Sequence, residues 1–184
     1  MKIKIFVVLT ALLCSVNFVY AQPADVPGFM DTRWGMSEQE ILDSMKDKVV
    51  KLKGKKNFQF GGYATVGMKE IEIDSSKYTV HFLMNRQTDL LYAVNLDIIY
   101  RHISDSKEYY ESLKKALSKE YGPPSIEGER ESKSTKILRA VWMFPSTIIL
   151  YTEWSSKLNK VMLQFLVNDG KKSLEELGLV EKTK

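Results

Sequence analysis

His81 and His102 are the only histidines in the chain, and Cys14 is the only cysteine. Side chains suited to acid–base, nucleophilic or metal chemistry are therefore few. One arrangement can be drawn. If residues 78–84 and 90–100 pair as a hairpin, His81 falls opposite Ala93 or Asn95 with Asp97 one diagonal away. An imidazole beside a carboxylate is the base half of an acid–base unit, but no nucleophile or donor loop accompanies it. Gly-x-Ser-x-Gly, Walker A, His-Glu-x-x-His and dinucleotide patterns are all missing from the sequence, and Gly61-Gly62 reads as a turn or a bulge. The two histidines have no clustered ligands beside them, which falls short of a zinc site. Glu127, Glu129 and Glu131, with Asp105 and Glu108 elsewhere, share no register that converges them for paired carboxylate chemistry and read as a solvated loop. The expectation is a protein that is not an enzyme and needs no cofactor or metal. A small secreted hydrolase using His81 with Asp97 stands as the alternative.

The first residues bear on where the protein works. Lys2 and Lys4 precede an apolar run over 5–13, and Val19-Tyr20-Ala21 offers a cleavage site, so residues 1–21 read as a signal peptide. Leu13 before Cys14 is too large for a lipoprotein signal, and Ser15 and Asn17 interrupt a membrane span. Residues 22–184 are expected to form a single domain, periplasmic or secreted. Removing 21 of 184 residues leaves 163, with no cysteine and hence no thiol chemistry. It also takes two of the 27 basic residues and none of the 23 acidic ones, for a net charge of +2. That is too small to imply nucleic acid as a partner. The six lysines of 46–56 read as a basic, mobile loop. It is either solvated or able to meet an anionic lipid or cell-wall surface.

The elements that position these residues follow from periodicity. Ser37 and Glu40 form a capping box for a helix running towards Lys48, with Ile41, Met45 and Val49 on one stripe. Strand patterns occupy 63–73, 78–84 and 90–100. A second helix opens at Ser104 or Asp105, carries Tyr110, Leu113, Leu117 and Tyr121, and stops at Gly122-Pro123-Pro124. After a polar connection over 125–136 come strands at 137–144, 147–154 and 160–167, then a short helix at 173–177. This order predicts an α+β fold of two tandem αβββ units, about 33–103 and 104–178, forming an antiparallel sheet with helices packed on one face.

Alternation then assigns faces. Val80, Phe82 and Met84 with Tyr92, Val94, Leu96 and Ile98 face inward, leaving Thr79, His81, Leu83, Leu91, Ala93, Asn95 and Asp97 on a mixed, wet outer face. In the second half, Val161, Leu163, Phe165 and Val167 face inward with Ala140, Trp142, Phe144, Ile148 and Leu150. The opposite set places Arg139, Val141, Met143, Tyr151, Glu153, Met162 and Gln164 together on the outer face as the candidate binding residues. That face is apolar for bare solvent. It reads either as an interaction surface or as a face covered by a loop, by the 23–32 lead, or by a second copy of the chain.

Trp34-Gly35-Met36-Ser37 before a capped helix, Leu91-Tyr92 after a polar turn and Tyr121-Gly122-Pro123 closing a helix resemble a group of small exported bacterial proteins of unknown function. The duplicated αβββ outline is similar in architecture to the β-lactamase inhibitor protein fold, a binding scaffold, and architecture alone does not carry function. The expected role is a non-catalytic, exported binding or interaction protein of the bacterial envelope. It would use the outer sheet face for a protein or envelope ligand. A homo-oligomer or a structural envelope subunit stays open.

Overall fold

The computed structural model describes residues 23–58, 62–98, 106–132, 135–155 and 160–170. The signal segment, His102 and the short helix expected at 173–177 lie outside them. Helix α1 (Glu38–Met45) is followed by strands β1 (Val50–Asn57), β2 (Gly62–Ile73), β3 (Ser76–Asn85) and β4 (Leu91–Ile98). Helix α2 (Ser106–Tyr121) is followed by β5 (Ile126–Ser132), β6 (Thr135–Met143), β7 (Thr147–Ser155) and β8 (Lys160–Val167). All eight strands form one sheet in the order β1-β2-β3-β4-β8-β7-β6-β5, and every neighbouring pair is antiparallel.

The α+β class is as expected, but each helix precedes four strands rather than three. The two added strands are the two edges of the sheet. β1 occupies the lysine segment read as a mobile loop, and β5 occupies the connection read as solvated. An edge strand has a partner on one side only, so it can be polar on both faces. Seven of the eight β1 residues are exposed, which hides the period-2 signal. Lysines and a bulge are common guards of such an edge. Here the register of β1 shifts between Lys51 and Lys56, with Gly54 at φ 91°, a region that favours glycine.

Helix α1 begins as its sequence dictates. Ser37 N donates to Glu40 Oε2 at 2.7 Å and Glu40 N donates to Ser37 Oγ at 3.4 Å, completing the capping box. The helix ends at Met45 in a single 3-10 turn, Lys46–Lys48. Its buried Ile41 and Met45 join Tyr110, Leu113 and Leu117 of α2 in one core with Tyr78, Val80, Phe82, Val94, Leu96, Leu163 and Phe165. The indole N–H of Trp142 donates to the Gly122 carbonyl at 2.7 Å and ties β6 to the end of α2.

The 23–36 lead packs on this same helix side and does not cover the outer face. Phe29 sits edge-on against Phe82 and Phe165, with ring centroids 6.3 and 4.9 Å away. The Asp25 carboxylate accepts from Ser146 N and Oγ at 2.8 and 2.6 Å. Trp34 Nε1 donates to Thr147 Oγ1 at 2.7 Å. Gly35 and Met36 exchange backbone hydrogen bonds with Leu91.

Two face assignments change. A register shift between Leu83 and Met84 pairs Met84 with Leu91, so Leu91 is a core residue and Tyr92 is not. The second change inverts β7. Phe144 N donates to Thr147 O at 2.8 Å, leaving Pro145-Ser146 as a two-residue hairpin, and Met143 pairs with Ile148. Thr147, Ile149 and Tyr151 therefore share the inner side with Trp142, while Ile148, Leu150 and Thr152 point outward. Loop length sets register, and a slip of one residue exchanges the faces.

Candidate functional site

Residues directly opposite each other on paired strands share a face, so the pairings define the outer surface row by row. One row runs Ile126, Val141, Leu150, Gln164, Asn95, His81 and Gly67. The next runs Gly128, Arg139, Thr152, Met162, Asp97 and Thr79. Five of the seven expected binding residues, Arg139, Val141, Met143, Met162 and Gln164, belong to this face. Tyr151 and Glu153 do not. Both are fully buried on the helix side, where Tyr151 stacks on Tyr110 with ring centroids 5.0 Å apart and Glu153 accepts from Ser155 Oγ at 2.8 Å. The error lies in the β7 phase, since Ile148/Leu150 and Ile149/Tyr151 are equally apolar alternations and only the two-residue turn chooses between them.

The face is not uniformly wet either. Val141, Ile148 and Leu150 form a second small apolar cluster, with Ile126 and Leu166 packed against it. His81, Asn95, Gln164 and Thr152 are buried polar residues on the same face. Asn95 Oδ1 and Thr152 Oγ1 have no hydrogen-bond partner. Almost all buried polar atoms in folded proteins are paired, and each exception calls for a water, an ion or a ligand.

His81 and Asp97 do come together, with Nδ1 3.3 Å from Asp97 Oδ2. The contact is close, but its geometry falls short of a directed hydrogen bond. Lys56, from the bulged edge strand, brings its ammonium 3.0 Å from His81 Nε2 and 3.8 Å from Asp97 Oδ2. The Phe58 ring lies 5.4 Å from the imidazole, and Asn95 Nδ2 donates to Asp97 Oδ1 at 2.8 Å. An ammonium can only donate, so the Lys56 contact makes Nε2 the acceptor and directs Nδ1 towards Asp97. Burial pushes the Asp97 pKa up, but His81, Lys56 and Asn95 outweigh it and hold the carboxyl below its ordinary value. A general base needs a free nitrogen facing a nucleophile. Here that nitrogen meets an ammonium.

Hollows elsewhere do not change this reading. One of about 690 Å³ lies between the lead and the end of α2, where Asp25 is engaged by Ser146 and Asp31 by Lys48. Another of about 210 Å³ lies between α2, β5 and β6. Neither is lined by His81 or Asp97. Among the described residues no three His, Cys, Asp or Glu side chains gather as a metal would need, and no helix there is long and apolar enough to cross a membrane.

The sequence reading missed Thr152, Trp154, Arg130 and Lys160 as outer-face residues. Arg130 pairs with Ile137, Ile137 with Trp154, and Trp154 with Lys160, a further outer row at the end of the sheet. Burial first, and the Arg130 charge second, lower the pKa of Arg139 in the adjoining row. The two-residue hairpin would have revealed Thr152 and Trp154. Recognising β5 as an edge strand would have revealed Arg130. Comparison of the chain with protein-family models, with curated proteins and with solved structures gives no significant match.

Proposed function

We propose that this is a non-catalytic, exported binding protein of the bacterial envelope whose outer sheet face engages a ligand or partner. The observation that carries the reading is the group of buried polar side chains, His81, Asn95, Gln164 and Thr152, on the sheet face opposite α1 and α2. Three of its polar atoms, His81 Nδ1, Asn95 Oδ1 and Thr152 Oγ1, lack a hydrogen-bond partner. Leaving a buried acceptor or hydroxyl unpaired costs about 1–3 kcal/mol, a cost a bound ligand removes. The apolar cluster of Val141, Ile148 and Leu150 beside it is buried, and the half-buried Ile126 and Leu166 packed against it supply apolar area for the same ligand. Export rests on the charged, apolar and small-residue order of the first 21 residues. A helix followed by four strands, occurring twice with β4 against β8 at the seam, supports a duplicated unit whose two halves share one continuous face.

A photo-crosslinking residue at Met162, which is half-buried on the outer face, tests the proposal in the native envelope. Lys115, exposed on α2, is the control position. Adducts at Met162 and none at Lys115 are the expected result, and adducts at Lys115 alone would reject it.

The hydrolase reading keeps one observation in its favour, the 3.3 Å approach of His81 to Asp97. It requires ester hydrolysis above background that His81→Gln abolishes. With Lys56 on Nε2, no such activity is expected.

A further inference from the structure

The outer positions of β5 to β8 sort charge. Arg130, Arg139 and Lys160 lie on them, and no Asp or Glu does. The three acids of β5 point the other way, where Glu127 meets Tyr110 and Lys114 and Glu129 meets Lys136. Neither Arg130 nor Lys160 forms an ion pair among the described residues. The Lys160 ammonium instead lies 5.6 Å from the centroid of the Trp154 ring. Between Arg139 and Met162 sits Thr152, wholly buried with an unpartnered hydroxyl. With neighbouring strands about 4.8 Å apart, Arg130 and Lys160 stand about 14 Å apart at their Cα atoms, a span their long side chains can narrow from both sides.

The geometry points to an anion site at this end of the outer face. Arg130, Arg139 and Lys160 take the oxyanion head of an amphiphile, Thr152 donates to it from below, and Trp154 and Met162 hold its apolar portion. This rests on the outer-face reading above and names the ligand chemistry of that face. Guanidinium groups suit phosphate and carboxylate because they donate in parallel pairs, and an aromatic ring beside a cation gives the apolar part a flat floor. Trp154 and Met162 are both half-buried, so each keeps apolar surface beside the head.

Calorimetric titration of the exported protein at low ionic strength tests this, with decyl phosphate as the probe and decanol as the neutral control. Decyl phosphate should bind at least about tenfold more tightly than decanol. Arg130→Gln and Lys160→Gln should each weaken it about tenfold, the loss of one charge-assisted contact. Lys119→Gln, an equal loss of charge on exposed α2, should leave it unchanged. Co-sedimentation with phosphatidylglycerol vesicles, lost in the same variants, identifies the anion as a lipid headgroup. Decyl phosphate binding without vesicle binding identifies a soluble anion, and both results uphold the site. Failure of both probes, or equal weakening by Lys119→Gln, overturns it. If Met162 still crosslinks when both anions fail, the face binds something else and only this inference falls. If Met162 does not crosslink either, the outer-face reading falls with it.

Discussion

Tyr151 lies nearly flat against Tyr110, with ring centroids 5.0 Å apart and planes at 16°. This contact goes with the phase of β7 that the Pro145-Ser146 hairpin sets. That phase puts Tyr151 and Glu153 on the helix side and sends Leu150, Thr152 and Trp154 to the other, which sets the chemistry of the outer face.

Tyr151→Glu should therefore prevent folding, since a carboxylate at that site has neither water nor a cation. Tyr151→Phe should cost less than about 0.5 kcal/mol, because the hydroxyl has no hydrogen-bond partner to lose. Urea unfolding of the two variants checks both expectations. A folded Tyr151→Glu protein of near wild-type midpoint would mean that β7 faces the other way.

Asp97 predicts a pH dependence. Its pKa is lower in the fold than in the unfolded chain, where a carboxyl titrates near 3.9. Its contribution is complete above that value and is lost as pH falls through the folded pKa. Wild type should be more stable than Asp97→Asn at pH 6, and the gap should close as the pH approaches 2. A gap that stays constant across this range would show that the carboxylate charge is not what His81, Lys56 and Asn95 stabilise.

Ser37→Ala should cost about 1 kcal/mol by removing one half of the capping box. Thermal unfolding measures it, and an unchanged midpoint would mean that Glu40 alone holds the start of α1.

Local signals account for most of what the sequence disclosed. The Ser37 cap, the Tyr110/Leu113/Leu117 stripe and the alternation of Val80/Phe82 against His81 depend on near neighbours, and they reappear in the fold. His81 beside Asp97 was legible for the same reason, since one hairpin register sets it. β1 and β5 were not legible, because edge strands take their order from a single partner and show no burial period of their own. The phase of β7 was hidden by two equally apolar alternations, and only Pro145-Ser146 as a two-residue turn distinguishes them. Lys56 over His81 depends on the bulge at Gly54, which no local pattern announces.

The central claim, that the outer face is where this protein binds, is tested most directly by the methyl NMR spectrum of its methionines during titration with native envelope extract. Met143 and Met162 lie on the outer face, while Met45, Met68 and Met84 are in the helix-side core. The account predicts that the Met162 and Met143 signals shift and the core signals stay. A shift confined to Met30 and Met36 in the lead, with Met143 and Met162 unmoved at saturation, would contradict it.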